Sequence, residues 1–141
     1  MPAKFISHND QETADYASEL SRQLTGGEVL ALVGQLGAGK TVFCQAVARA
    51  LGVKATVASP TFVLMKVYRI RGRKIKNFVH IDAYRLNSGA DLAAIGAVDY
   101  LGRPDTVVAI EWADKVKNIM PAGVSWWQFK TQKNNRLISR L

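Results

Sequence analysis

The sequence predicts an α/β fold: a mixed central sheet with antiparallel hairpins, flanked by helices. Three observations predict it. Val29-Leu30-Ala31-Leu32-Val33 and Val107-Val108-Ala109-Ile110 are short, wholly apolar runs, as strands covered on both faces are. Segments of helical spacing alternate with them, punctuated by glycine. Two extended runs, 63–70 and 74–81, are joined through Arg71-Gly72-Arg73, which reads as a hairpin.

Taken in order, Asn9 can cap a helix, with Glu12 at the third helical position closing a capping box. Ala14, Ala17, Leu20 and Leu24 follow at helical spacing, and Gly26-Gly27 reads as the stop. The first apolar strand then runs into the glycine-rich stretch 34–39. A second helix starts near Lys40, turns Phe43, Ala46, Val47, Ala50 and Leu51 inward and ends at Gly52. Thr56-Val57-Ala58 reads as a strand leading into Ser59-Pro60-Thr61-Phe62. The hairpin ends at Asp82. Ser88 is a helix cap with Asp91 three positions on, and Leu92, Ile95 and Leu101 form an apolar side. Arg103-Pro104-Asp105 is a turn before the second apolar strand, which ends at Glu111-Trp112. Pro121 closes a short helical segment, and 124–130 with 136–141 form a terminal hairpin around 132–135. No repeat or linker interrupts this, so one domain is expected over 1–141.

With 141 residues and 48% hydrophobic content, the chain can bury a core without covalent or metal staples. Cys44 is its only cysteine, which excludes an intramolecular disulfide and a zinc cluster. The N-terminus shows no signal-peptide apolar region, and no stretch approaches the roughly 18 apolar residues of a membrane helix. A soluble, cytoplasmic protein without a membrane or DNA partner is therefore expected. The net charge of +8 favours polyanionic partners such as RNA or an acidic protein surface, or serves only as solubilising charge.

Gly34-Gln35-Leu36-Gly37-Ala38-Gly39-Lys40-Thr41 matches G-x-x-x-x-G-K-[ST] without deviation. Its glycines let successive amide hydrogens point at one anion, and the helix that follows adds its free amides. Lys40 reaches the β- and γ-phosphates, and Thr41 offers a hydroxyl to magnesium. The motif stands between an apolar strand and an apolar-faced helix, the context this chemistry requires. The fold expected is therefore the P-loop NTPase fold, with ATP and Mg²⁺ as cofactors. Gly37, Ala38, Gly39, Lys40, Thr41 and Val42 are its candidate nucleotide contacts.

Such a site needs a carboxylate for magnesium, usually at the end of a second buried strand. Glu111 and Asp82 both stand at strand ends, where a carboxylate binds metal, positions water, or only caps a turn or balances Arg85.

GQLGAGKT, SPTF at 59–62, HIDAYRL at 80–86, IG at 95–96 and IEWAD at 110–114 occur in an order and spacing that resemble the TsaE (YjeE) family over nearly the whole chain. The resemblance implies the ATPase of tRNA threonylcarbamoyladenosine formation, acting beside the anticodon with the partners TsaB and TsaD. Contact with tRNA would be indirect, through that complex. It implies that Lys40 and Thr41 serve phosphate and magnesium and that Glu111 is the acidic metal ligand. Asp82 would orient water near the γ-phosphate, Thr61 would belong to a nucleotide-sensing switch, and Trp112 would pack beside the site. Thr13 is the match for a residue near the base, and Arg136 for a basic residue facing the nucleotide. Read from the residues alone, Tyr84 and Arg85 lie at a partner interface, or Arg85 simply pairs with Asp82. Two positions depart from the family pattern: Val42 replaces a second threonine, and Ala83 replaces a Phe or Leu.

Bland readings compete elsewhere. His80 reads as a hydrogen-bonded structural histidine, Trp126-Trp127 as core and Cys44 as a buried apolar residue. Arg69, Arg71, Arg73, Lys74 and Lys76 mark either a polyanion contact or a charged ribbon edge. A small-molecule kinase and a nucleotide-gated RNA-binding module are the alternatives to an ATPase. The absence of an N-K-x-D motif disfavours a GTPase.

Overall fold

The computed structural model describes residues 3–35, 37–57 and 64–141. The strands are β1 (Lys4–Ser7), β2 (Val29–Gly34), β3 (Met65–Arg69), β4 (Asn77–Asp82), β5 (Thr106–Glu111), β6 (Ser125–Gln132) and β7 (Asn135–Arg140). The helices are α1 (Asp10–Ser21), α2 (Lys40–Leu51) and α3 (Gly89–Ala94), with 3₁₀ segments at Ala97–Asp99 and Ala113–Ile119. Among the described residues the strands form one sheet in the order β1-β7-β6-β2-β5-β4-β3.

The centre of the sheet is parallel: β2 pairs with β5 and β6, and β5 with β4. Antiparallel β3 closes one edge, and β7 with β1 closes the other. Because successive side chains alternate across a strand, each central strand feeds two cores. Leu30, Leu32, Phe78, Val107 and Ala109 face α1 and α2. Ala31, Val79, Ile81, Val108 and Ile110 face α3 and the 3₁₀ segments. This is why the two apolar runs lack polar alternation.

Several local expectations change. Asn9 does cap α1, accepting the Glu12 amide at 2.8 Å. Glu12, however, reaches past the cap to the His8 amide and ring rather than closing a box on Asn9. The helix ends at Ser21, with the Arg22 amide bonded back to Glu19, well before the glycines. Gly26 serves packing instead: a Cβ there would lie 2.0 Å from the Pro104 carbonyl oxygen. Thr56 and Val57 form no strand, and the Val57 carbonyl accepts from the Gln45 side chain at 2.7 Å. Ser88 holds the cap position of α3 without a side-chain bond, while Asp91 accepts the Asn87 amide. That helix is short because Gly96, at φ +85°, breaks it before Leu101.

The hairpin of β3 and β4 and the terminal hairpin both form. Cys44 and Trp127 are buried, and Trp126 is half-buried. Strand β1 was not expected from the sequence. Its Lys4 and Ile6 are exposed, so the segment carries almost no apolar alternation. Among the described residues no helix is long and apolar enough to cross a membrane.

Candidate phosphate and magnesium site

Strand alternation and register assemble the site at the carboxyl end of the parallel strands. Leu32 of β2 pairs with Glu111 of β5, and Glu111 with Asp82 of β4. The two acids thus end neighbouring strands, and the motif loop leaves β2 beside them.

Gly34 has φ +149°, and a Cβ on it would meet the Phe129 carbonyl oxygen at 2.3 Å. Only glycine lets the loop leave β2 this close to β6. Gly37 (φ +78°) and Gly39 (φ +98°) also take left-handed backbone. Gly39 is the N-cap of α2 and supplies no side-chain acceptor. The first amides of α2 consequently lack helical partners and are available to an anion.

Lys40 is nearly buried, at 5% exposure. Its ammonium donates to the carbonyls of Gly34 and Gln35 and lies 4.0 Å from the centre of the Trp112 ring. Burial pushes its pKa below the ordinary value, against the opposing pull of Glu111, Asp82, Asp114 and Cys44. Its side chain is held in a partly apolar cage. Trp112 reaches it from a left-handed backbone, φ 58° and ψ 38°, uncommon for a bulky residue. Tyr84 packs on Trp112 with ring centres 5.0 Å apart, and Lys115 covers both rings.

The Thr41 hydroxyl donates to the Glu111 carboxylate at 3.1 and 3.3 Å. Glu111 is 4% exposed and also meets His80 Nε2 at 2.6 Å. A hydroxyl and a buried carboxylate on adjoining elements are the hard oxygen donors that magnesium takes. Beside the Lys40 side chain and free helix amides, they fit a phosphate-bound magnesium ion.

Other named residues fall as follows. Ala38 is buried and Gly37 exposed within the loop, and Val42 is half-buried on α2. Asp82 accepts the Tyr84 amide at 2.9 Å with one oxygen. Arg136 of β7 packs against Gly39, where its Cδ would be 3.1 Å from an added Cβ, and its guanidinium pairs with Asp10. Thr13 is fully buried, with its hydroxyl engaged by Ser7 and the Asn9 carbonyl. Tyr84 and Arg85 are exposed. Thr61 lies outside the described residues.

The sequence reading overlooked Asp114 and Lys115, and it did not connect His80 with Glu111. Asp114 and Lys115 are exposed residues of a 3₁₀ segment whose Ala113, Val116 and Ile119 pack into the core. The histidine did carry a signal, for it stands two residues before Asp82 on the same strand face.

A profile described as threonylcarbamoyl adenosine biosynthesis protein TsaE matches residues 7–139. The chain belongs to the TsaE family. It is 37% identical over 116 residues to the tRNA threonylcarbamoyladenosine biosynthesis protein TsaE of Treponema pallidum, covering 82% of each chain. It is 39% identical over 108 residues to that of Mycobacterium bovis, covering 74% of this chain and spanning 64% of that relative's length. The crystal structure of Bacillus subtilis YdiB superposes with a TM-score of 0.79 at 29% identity, covering 97% of this chain and 82% of that one. This TsaE-family chain thus places its P-loop motif and both strand-end acids at one end of a mixed sheet.

Proposed function

We propose that this protein binds and hydrolyses ATP with magnesium as a component of tRNA threonylcarbamoyladenosine biosynthesis, acting together with TsaB and TsaD. The observation that carries this reading is the convergence of Lys40, Thr41 and Glu111 at the mouth of the motif loop. Thr41 and Glu111 would hold the metal, which supplies positive charge against the phosphate oxygens. The loop amides and the start of α2 would cradle the phosphates. Lys40 would exchange the Gly34 and Gln35 carbonyls for phosphate oxygen, a better partner for a partly desolvated ammonium. Asp82 has one carboxylate oxygen engaged by the Tyr84 amide, and the group would orient the attacking water. Arg136, against Gly39, would face the nucleotide.

Hydrolysis by the isolated protein should be slow, because P-loop enzymes without an arginine supplied to the transition state turn over poorly. Nucleotide binding and hydrolysis would reset the conformation of the complex rather than act chemically on tRNA. Modification of the tRNA adenosine would remain the business of the partners. The test is ATP hydrolysis by the purified protein alone and with TsaB and TsaD, with Glu111→Ala as control. Partner-stimulated hydrolysis that disappears in the variant is expected. Equal rates with and without the partners would refute partner dependence, and phosphate transfer to a small metabolite would favour a kinase.

A further inference from the structure

His80 holds the position of greatest constraint around the metal-binding carboxylate. It is fully buried, and its Nε2 lies 2.6 Å from Glu111 Oε2. Its other ring nitrogen, Nδ1, is buried and has no hydrogen-bond partner among the described residues. The strand register explains the approach. His80 pairs with Ala109, two residues before Glu111, so its ring meets the glutamate diagonally across β4 and β5 on the face toward α2. Phe78 on the same strand face, with ring centres 6.4 Å apart, and the buried Cys44 on α2 flank it.

The hydrogen inventory assigns the tautomer. An ionised carboxylate only accepts, so Nε2 must carry the hydrogen. A hydrogen on Nδ1 would be a buried donor without an acceptor, a larger cost than a bare lone pair. Thr41 approaches the same carboxylate from the other side and is nearer Oε1, at 3.1 Å. Oε2 meets the histidine, and the hydroxyl lies 3.1 Å from Oε1 and 3.3 Å from Oε2.

We infer that His80 is a positioning residue for magnesium: its Nε2–H fixes the Glu111 carboxylate so that Oε1 faces Thr41 and the phosphate site. This rests on the magnesium-dependent nucleotide reading above. It goes beyond that reading by assigning work to a side chain that touches neither metal nor nucleotide. Residues that orient a ligating carboxylate commonly account for about 10- to 100-fold in metal affinity.

The test is the magnesium dependence of nucleotide binding, read by the fluorescence of methylanthraniloyl-ADP, in His80→Leu, His80→Asn and His80→Gln. His80→Leu is expected to raise the half-saturating magnesium concentration about tenfold or more, while magnesium-free nucleotide affinity stays unchanged. His80→Asn, whose amide is too short to reach Glu111, should behave as His80→Leu does. His80→Gln retains a donor of sufficient reach and should recover most of the wild-type dependence, a rescue that stands even if His80→Leu does not fold. Wild-type titrations in both Leu and Asn variants would overturn the assignment, as would a Gln variant no better than Asn. If the wild-type protein binds nucleotide with no response to magnesium, the underlying functional reading fails instead, and the two failures are distinguishable.

Discussion

The Thr41 hydroxyl, at the start of α2, hydrogen-bonds the Glu111 carboxylate at the end of β5, 70 positions further along the chain. The two donors expected to hold magnesium are therefore already in contact, and little conformational entropy remains to be lost when they bind an ion. Glu111→Gln keeps the shape and removes the charge. It should reduce partner-stimulated hydrolysis by about a hundredfold or more while magnesium-free nucleotide binding persists. Steady-state phosphate release and equilibrium binding measured on the same preparation check this.

Lys40 stands over the Trp112 ring at 4.0 Å, a contact that a phosphate would have to break. Nucleotide addition should therefore change tryptophan emission. The change is expected to vanish in Trp112→Phe, although Trp126 and Trp127 remain, and also in Lys40→Ala. A response that survives Trp112→Phe would place the reporter elsewhere.

Gly34→Ala tests the seat of the loop. An added Cβ would lie 2.3 Å from the Phe129 carbonyl oxygen, on backbone at φ +149°. Neither partner can move without parting β2 from β6, which pair at these residues. The variant should lose about 2 kcal/mol or more of stability in chemical denaturation. Gly37→Ala meets nothing within 4 Å among the described residues and should cost less, since its φ of +78° is what opposes it.

The Cys44 thiol is pushed well above its ordinary pKa of 9.0, chiefly by burial and further by Glu111 and Asp82. With the folded pKa raised, the folded state keeps its proton above pH 9 while the unfolded chain loses it. Stability from this group is thus full below the unfolded value and falls as pH rises above it. Thermal melts of wild type and Cys44→Ala should accordingly diverge in slope between pH 8 and pH 10, with the wild type declining more steeply. In the folded protein the thiol should resist alkylation at pH 8 and react only on unfolding.

The parts of the site written locally were legible in the sequence. The loop motif carries its own geometry in its glycines, and a carboxylate after an apolar run announces a strand end, as at Glu111 and Asp82. What depends on which strand lies beside which was not legible. The parallel pairing of β2 with β6 follows from tertiary packing, and nothing in 125–132 distinguishes that neighbour from another. The pairing of Arg136 with Asp10, 126 positions apart, has the same origin. His80 was read as structural because a lone buried histidine on a strand usually is, and only the register of β4 on β5 brings it to Glu111. Strand β1 escaped notice because an edge strand with exposed Lys4 and Ile6 has no face to advertise.

The basic hairpin turn, with Arg71, Arg73, Lys74 and Lys76 all exposed, precedes β4, whereas Asp82 ends it. Six residues of strand separate the cationic end from the phosphate end, about 20 Å. Two anionic ligands could therefore sit on this molecule without competing for charge, one at each pole.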